Sequence, residues 1–95
     1  MTERDLNTLD SILRNPFIGL SQVEIKILRK AIELLRGHFA GEKSLACVFW
    51  WIYDHEFRYD IEVRRYIENF PTRQLFASHF IALIRKLYPG FSTIA

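Results

Sequence analysis

Apolar residues recur at intervals of three and four along most of the chain, which is the spacing of an amphipathic helix. The first stripe consists of Leu6, Leu9 and Leu13. Thr2 and Asp5 precede it and are placed to form a capping box, in which each side chain accepts a hydrogen bond from the other residue's backbone. Pro16 pushes Asn15 out of the helical region, so the first predicted helix ends there.

The second predicted helix has the clearest start signal in the sequence. Ser21 and Glu24 form a second capping box, and Leu20 and Ile25 occupy the positions of a hydrophobic staple. The centre of its predicted core face is formed by Ile25, Leu28, Ile32, Leu35 and Phe39. The edges of that face are Ile27, Ala31 and Leu34. Glycines at positions 37 and 41 mark the end of the helix.

Residues 45–67 fit two different structures. A helix is favoured by the spacing of Leu45, Phe49, Ile52 and Tyr53. A β-hairpin is favoured by the many strand-preferring residues and by the alternation of apolar and charged residues from Phe57 to Arg64. Against the hairpin, its turn at positions 54–56 contains no glycine, asparagine or proline, the residues that favour turns.

Signals after residue 59 favour helix over hairpin. Helical spacing is also shown by four later apolar residues, Val63, Tyr66, Ile67 and Phe70. Asp60 is placed to cap this segment and to pair with Arg64 one turn later, and Pro71 stops it. We therefore predict two helices between Leu45 and Phe70 and keep a hairpin at about 45–67, with an α+β fold, as the alternative.

A fifth helix is predicted after Thr72, which can cap it. Its stripe is Phe76, Phe80, Leu83 and Leu87, flanked by Leu75, His79 and Ile84. Pro89 and Gly90 end it, and we expect the tail from Phe91 to Ala95 to be ordered only if Phe91 docks on the core. Broad apolar faces joined by short connections predict an all-α fold, a compact bundle of four to five short helices forming one domain over residues 1–95.

Composition adds that some large apolar groups should stay near the surface. The chain holds eight Phe, four Tyr and two Trp in 95 residues, whereas a domain of this size buries only about two-thirds of its unfolded surface. Exposed apolar groups favour self-association or a partner protein. The net charge of +2 is spread evenly and gives no general basic excess of the kind expected for a nucleic-acid binder.

The cellular setting can also be argued from composition. The single cysteine, Cys47, cannot form an intramolecular disulfide or a zinc site based on cysteines, and it suits a reducing cytosol. The polar N-terminus does not resemble a signal or transit peptide. The longest apolar stretch, Leu45 to Tyr53, has about half the length that a membrane-spanning helix needs. We expect a cytoplasmic protein that does not enter a membrane.

Motifs of catalysis are missing from the sequence, which has no Gly-rich phosphate loop, no G-x-S-x-G and no H-E-x-x-H. Cys47 lies in an apolar run, where a cysteine is usually a small packed side chain and not a nucleophile. Asp54, His55 and Glu56 cannot converge on one metal ion, because consecutive helical residues point about 100° apart. His79 is interpreted as a hydrogen-bonded histidine at the core edge. We expect no enzymatic activity, no metal and no cofactor.

The basic residues support one functional hypothesis. The polar side of the second helix holds one carboxylate, Glu33, among four cations, and arginines near the start of the last helix could add phosphate contacts, as in a helix-turn-helix protein. The candidate nucleic-acid contacts are Lys26, Arg29, Lys30, Arg64, Arg65 and Arg73. The competing interpretation is a solvated face, since amphipathic helices normally place Lys and Arg outward. A DNA-binding transcriptional regulator is therefore the alternative function.

The two adjacent tryptophans support the preferred hypothesis. On a helix, Trp50 and Trp51 cannot both point in the direction of Phe49 and Ile52, so at least one should lie at the rim of the core or outside it. Interface hot spots are rich in Trp, Tyr and Arg. The candidate interface residues are Trp50, Trp51, Arg58, Tyr59 and Tyr66, and the competing interpretation is that both tryptophans are buried between helices. We expect a small non-enzymatic module that binds another protein, or a second copy of itself as a homodimer, and acts as a regulator, an inhibitor, an immunity-type protein or an assembly or secretion chaperone.

Overall fold

The computed structural model describes residues 2–91, which form five α-helices. The helices are α1 (Glu3–Leu13), α2 (Gln22–Arg36), α3 (Leu45–His55), α4 (Ile61–Glu68) and α5 (Arg73–Leu87). No strand occurs among these residues, so the predicted all-α fold is confirmed and the alternative hairpin at about 45–67 is wrong. Within the same residues, no helix has both the length and the apolar character needed to cross a membrane.

Side-chain caps begin four of the helices, as the sequence predicts. The capping residues are Thr2, Ser21, Asp60 and Thr72. At α2, Ser21 Oγ accepts from the backbone of Glu24 over 3.2 Å, and the Glu24 carboxylate accepts from the backbone of Ser21 over 3.2 Å. Each such cap satisfies backbone groups that the helix cannot pair internally and stabilises the fold by about 1 kcal/mol.

Burial of one apolar face stabilises α3 as a helix, since its N-terminus has no side-chain cap hydrogen bond. Its buried residues are Leu45, Val48, Phe49 and Ile52. These positions lie on one face of a helix, whereas a strand would point Val48 and Phe49 to opposite sides. The alternation from Phe57 onward is not a burial pattern either, since Tyr59 is 96% exposed and Ile61 is 69% exposed.

The core is built around α3, which packs against α5 and α2, while α1 packs on α2 and α4 also packs on α2. Phenylalanine rings fill the contact between α3 and α5: the centroid of Phe49 lies 5.5 Å from that of Phe80 and 6.2 Å from that of Phe76. Phe76 and Phe80 lie 4.8 Å apart. Edge-to-face and offset arrangements of this kind add to the stabilisation from burial.

The core faces of α2 and α5 differ in part from the predicted ones. On α2, Ile25 is only half-buried and Val23 is buried in its place. Phe39, which the sequence predicts on the same face, follows the end of α2 and is also half-buried. On α5 the buried residues are Phe76, Ala77, Phe80, Ile81 and Ile84. The buried stripe of α5 therefore lies to one side of the predicted stripe, on the side of Ala77 and Ile81. Leu83 and Leu87 are left half-buried, and Leu75 is exposed at 52%. The docking of Phe91 is found, because its ring is buried and meets Tyr88, whereas residues 92–95 lie outside the described residues.

The predicted pairing of Asp60 with Arg64 is wrong. The Asp60 carboxylate accepts from the backbone of Val63 at 3.1 Å and pairs with Lys26 at 3.2 Å. Arg64 instead donates to the backbone oxygens of Tyr53 and Glu56, at 2.9 and 3.0 Å. The Tyr53 carbonyl lies in the last turn of α3 and Glu56 is its C-cap residue. At this end of a helix the C=O groups lack internal partners and attract a cation. Arg64 therefore fixes the C-terminus of α3 to α4.

Candidate functional site

The outer face of α3 carries the two tryptophans. Residues at helical spacing opposite the core face are Cys47, Trp50, Trp51, Asp54 and His55. Both tryptophans are half-buried, so neither is enclosed in the core and neither is fully exposed. Together with Phe39 and Arg73 these residues line one shallow depression.

Trp51 is held in place by rings and by one hydrogen bond. Its ring centroid lies 4.2 Å from that of His55, 5.0 Å from that of His38 and 5.8 Å from that of Phe39. The indole Nε1 donates to Glu56 Oε1 over 3.2 Å, which satisfies the polar atom of this side chain. Trp51 thereby joins the connection between α2 and α3 to the C-terminus of α3.

Trp50 is held by α5. The guanidinium carbon of Arg73 lies 5.2 Å from the centroid of the Trp50 ring, a distance at which a cation is attracted to the aromatic face. Arg73 also pairs with Asp54 over 3.2 Å. The first residue of α5 therefore bridges two outer residues of α3 and fixes the orientation of the indole.

The segment that follows α3 continues the same surface. A second depression is lined by residues 55–61 and shares His55 with the first. It carries the exposed side chains of Arg58, Tyr59 and Ile61. We call this continuous region the tryptophan surface and define it by Trp50, Trp51, His55, Arg58, Tyr59 and Ile61.

One residue of this segment is in a strained backbone conformation. Phe57 has φ = +61°, in the left-handed region that bulky L-residues rarely adopt. The conformation is maintained by its surroundings, because Phe57 packs against the core and both neighbouring segments are fixed by Arg64 and by the Asp60 cap. Retained strain of this kind often accompanies binding segments.

Tyr66, the fifth predicted interface residue, is not part of the tryptophan surface. Its hydroxyl lies 3.4 Å from Glu24 Oε2 and 3.3 Å from His79 Nε2, so that α2, α4 and α5 meet in one polar cluster. Burial, with a contribution from the Glu24 carboxylate, raises the pKa of Tyr66 to about 12. His79 has the hydrogen-bonded position at the core edge that the sequence indicated.

The pKa of Glu24 is lowered from its ordinary value of 4.5. Burial alone would raise it, but hydrogen bonds from the backbone and hydroxyl of Ser21 and the nearby His79 together outweigh burial. The carboxylate is therefore more stable as an anion in the folded protein than in the unfolded chain.

Most of the candidate nucleic-acid contacts are engaged within the protein. Four have carboxylate partners, in the pairs Lys26–Asp60, Lys30–Glu33, Arg64–Glu68 and Arg73–Asp54. Neither Arg29 nor Arg65 forms an ion pair with any of residues 2–91. The six cations thus do not form a concentrated, unpaired basic face of the kind that phosphate binding uses.

The sequence Asp54-His55-Glu56 does not form a polar cluster. Asp54 pairs with Arg73, His55 stacks on Trp51, and Glu56 accepts from the Trp51 indole. In the part of the chain that the structure describes, no three His, Cys, Asp or Glu side chains are placed to hold a metal ion. What the tryptophan surface offers chemically is aromatic, apolar and hydrogen-bonding contact.

Sequence reasoning missed His55 and Ile61 in this surface. The positions opposite the predicted core face of α3, read at the same helical spacing, would have included His55. Ile61 had no such signal, because an isoleucine at the start of a helix is usually assigned to the core. Phe17, in the α1–α2 connection, was also missed and is 91% exposed.

Comparison with known proteins adds no functional information. No protein-family model matches the chain, and no significant match is found among curated proteins or among solved structures.

Proposed function

We propose that this chain is a small protein-interaction module that binds another protein through the tryptophan surface. The observation that carries the proposal is the concentration of Trp50, Trp51, Tyr59 and Arg58 on one continuous surface. Tryptophan, tyrosine and arginine supply large contact areas with a polar end, and they dominate the binding energy of protein interfaces. In this role the module acts as a regulator, an inhibitor, an immunity-type protein or an assembly or secretion chaperone.

Preorganisation of the surface supports the proposal. Arg73 fixes Trp50, Glu56 and two imidazoles fix Trp51, and Arg64 fixes the backbone that leads to Tyr59. Side chains that are already ordered lose less conformational entropy on binding, so more of the contact energy appears as affinity.

A second copy of the chain is one candidate partner. The tryptophan surface and its edge carry charges of both signs, Arg58 and Arg73 beside Asp54 and Glu56. A surface with both signs can meet itself across a two-fold axis, since a cation of one copy can then lie opposite a carboxylate of the other. Self-association through this surface is therefore included in the proposal and is separated from binding of a different protein by the mass of the complex.

Site-specific photocrosslinking tests the proposal. A photoreactive phenylalanine analogue replaces Tyr59 in one version of the protein and Leu75, an exposed residue at the start of α5, in the matched control. In native cell extract, we expect position 59 to give a discrete protein adduct, or a covalent dimer, that position 75 does not give. No adduct specific to position 59, or an adduct that nuclease digestion removes, would contradict the proposal.

A further inference from the structure

The connection between α1 and α2 presents a phenylalanine on a rigid turn. Asn15 Oδ1 accepts from the backbone of Phe17 over 3.0 Å, and the Asn15 carbonyl accepts from the backbone of Ile18 over 3.3 Å. Pro16 lies at the second position of this turn, where its fixed φ is favourable. Gly19 follows with φ = +80°, a conformation that suits glycine. Phe17 is thus exposed at 91% on a backbone that is already ordered.

A depression of about 270 Å³ lies beside this turn and has only positive charge in its lining. Its apolar part is formed by Leu13, Ile18, Leu20 and Ile25. The charged lining residues are Arg14 and Arg29, and no carboxylate is among them. Arg14 shares a salt bridge with Asp10 at 3.2 Å, whereas Arg29 pairs with none of residues 2–91. Its volume is below the range of most small-molecule sites, and it suits side chains of a peptide.

We infer that this corner is a second docking surface, which binds an acidic segment of a partner protein. Phe17 inserts into apolar side chains of the partner. Carboxylates of the segment enter the depression, whose accessible lining is mostly polar, and pair with Arg29 and Arg14. Charge complementarity selects this occupant, because both charged residues of the depression are cationic and Arg29 has no ion-pair partner among residues 2–91. A rigid turn that presents an aromatic anchor limits the entropy lost on binding.

The second surface is separate from the tryptophan surface. Phe39, which contacts Trp51, follows the C-terminus of α2, whereas the Phe17 turn precedes its N-terminus. The 15 residues of α2 span about 22 Å at the rise of an α-helix. A protein with two such surfaces can hold two partner segments at once, and the two proposals stand or fall independently.

Peptide selection tests the inference with defined variants. A display library of short random peptides is selected on the immobilised full chain, with counter-selection on Phe17→Ser. Peptides that remain are synthesised and titrated by fluorescence anisotropy at about 0.15 M salt, where exposed charges farther apart than roughly 8 Å are screened. We expect selected peptides that carry Asp or Glu beside apolar residues, with binding that Phe17→Ser and Arg29→Glu each weaken at least about tenfold.

Matched variants keep the result specific. Leu75→Ser removes another exposed apolar side chain, and Arg65→Glu reverses another arginine that has no ion-pair partner in the described part of the chain. Both variants should bind the selected peptides as the wild type does. Thermal unfolding of every variant checks that the fold is intact. We expect unchanged unfolding, because all four side chains are exposed.

Four outcomes overturn the inference. The first is that no peptide is enriched in a way that depends on Phe17, and the second is that the selected peptides are neutral or basic. The third is concentration-dependent dimerisation that Phe17→Ser abolishes, and the fourth is duplex DNA binding that Arg29→Glu abolishes. In each of the last two outcomes the surface is real but its occupant is a second copy or a nucleic acid. Because Tyr59 lies outside this depression, the crosslinking result at position 59 is unaffected by any of them.

Discussion

Trp51 belongs both to the fold and to the surface. Its ring contacts with His38, Phe39 and His55 and its hydrogen bond to Glu56 hold two segments together, while part of the indole remains accessible. A residue of this kind is a poor choice for separating binding from stability, because its truncation affects both. Tyr59, exposed at 96%, is the better probe of binding.

The contrast between these two residues gives the first prediction. Trp51→Ala should lower the free energy of unfolding by about 1–3 kcal/mol, since it removes ring contacts and a hydrogen bond, whereas Tyr59→Ser should change it by less than about 0.5 kcal/mol. Denaturant midpoints measure both. Equal effects of the two substitutions would mean that Trp51 does not tie the two segments together.

Leu28 tests the assigned core of α2. Its side chain is fully buried, so Leu28→Ala should cost about 2–5 kcal/mol of unfolding free energy. Ser21→Ala should cost about 1 kcal/mol through loss of the cap, and Arg29→Ala, one position from Leu28 on the exposed side, should change little. A Leu28→Ala protein within about 0.5 kcal/mol of the wild type would show that the core face is wrongly assigned.

Glu24 links stability to acid pH. Because its pKa is lowered in the folded state, its contribution to stability is present above pH 4.5, the ordinary pKa of a glutamate, and is lost as the pH falls through the folded-state value. We expect the unfolding free energy of the wild type to fall below pH 4.5 more steeply than that of Glu24→Gln. Glu33→Gln, an exposed control on the same helix, should retain the steep wild-type dependence. Parallel curves for the wild type and Glu24→Gln would argue against this linkage.

At the scale of the helices, the sequence signals were reliable where they are local and weaker where packing decides. The caps at Thr2, Ser21, Asp60 and Thr72 could be predicted because each involves groups three residues apart. The partner of Arg64 could not be predicted, since it depends on where the C-terminus of α3 comes to lie. The buried stripe of α5 lies to one side of the predicted stripe, because the position of α3 determines which side of α5 is covered.

The same reasoning applies to the candidate site. Trp50, Trp51, Arg58 and Tyr59 were identified from residue type and from the impossibility of burying both tryptophans on one side of a helix. Tyr66 was assigned to the same group by residue type alone, and the structure places it with Glu24 and His79. Residue type indicates which side chains can bind a partner, but the packing of α4 decides which way Tyr66 faces.

Arg64 gives a prediction at the scale of elements. Arg64→Ala removes two hydrogen bonds to the C-terminal end of α3, so it should cost about 1–3 kcal/mol of unfolding free energy. The neighbouring Arg65→Ala is the matched control and should change it by less than about 0.5 kcal/mol. Equal effects in chemical denaturation would show that Arg64 does not stabilise the α3–α4 connection.

For the molecule as a whole, paired charges argue against strong nucleic-acid binding. Four of the six candidate basic residues already have carboxylate partners, and the net charge is only +2. We predict weak or no binding of duplex DNA at physiological salt in a gel-shift assay, because each phosphate contact must release counterions to contribute. Nanomolar, sequence-selective binding would contradict this prediction and favour a DNA-binding regulator.

The size of the chain explains why aromatic groups remain at the surface. A domain of this length cannot bury all of its unfolded surface, and here the excess is grouped at the tryptophan surface and at the Phe17 turn. Large apolar groups that are placed together on ordered backbone are characteristic of binding surfaces.

Binding through the tryptophan surface is tested by the affinity of the crosslinked partner for a double variant that leaves the fold intact. With the partner identified at position 59, calorimetric titration compares the wild type with Tyr59→Ser/Ile61→Ser and with the Leu75→Ser control. We predict that the double variant binds more weakly by about 2 kcal/mol or more, as expected for a hot spot, while its denaturant midpoint and the affinity of the control stay unchanged. Unchanged affinity of the double variant would contradict the assignment of the tryptophan surface as the binding site.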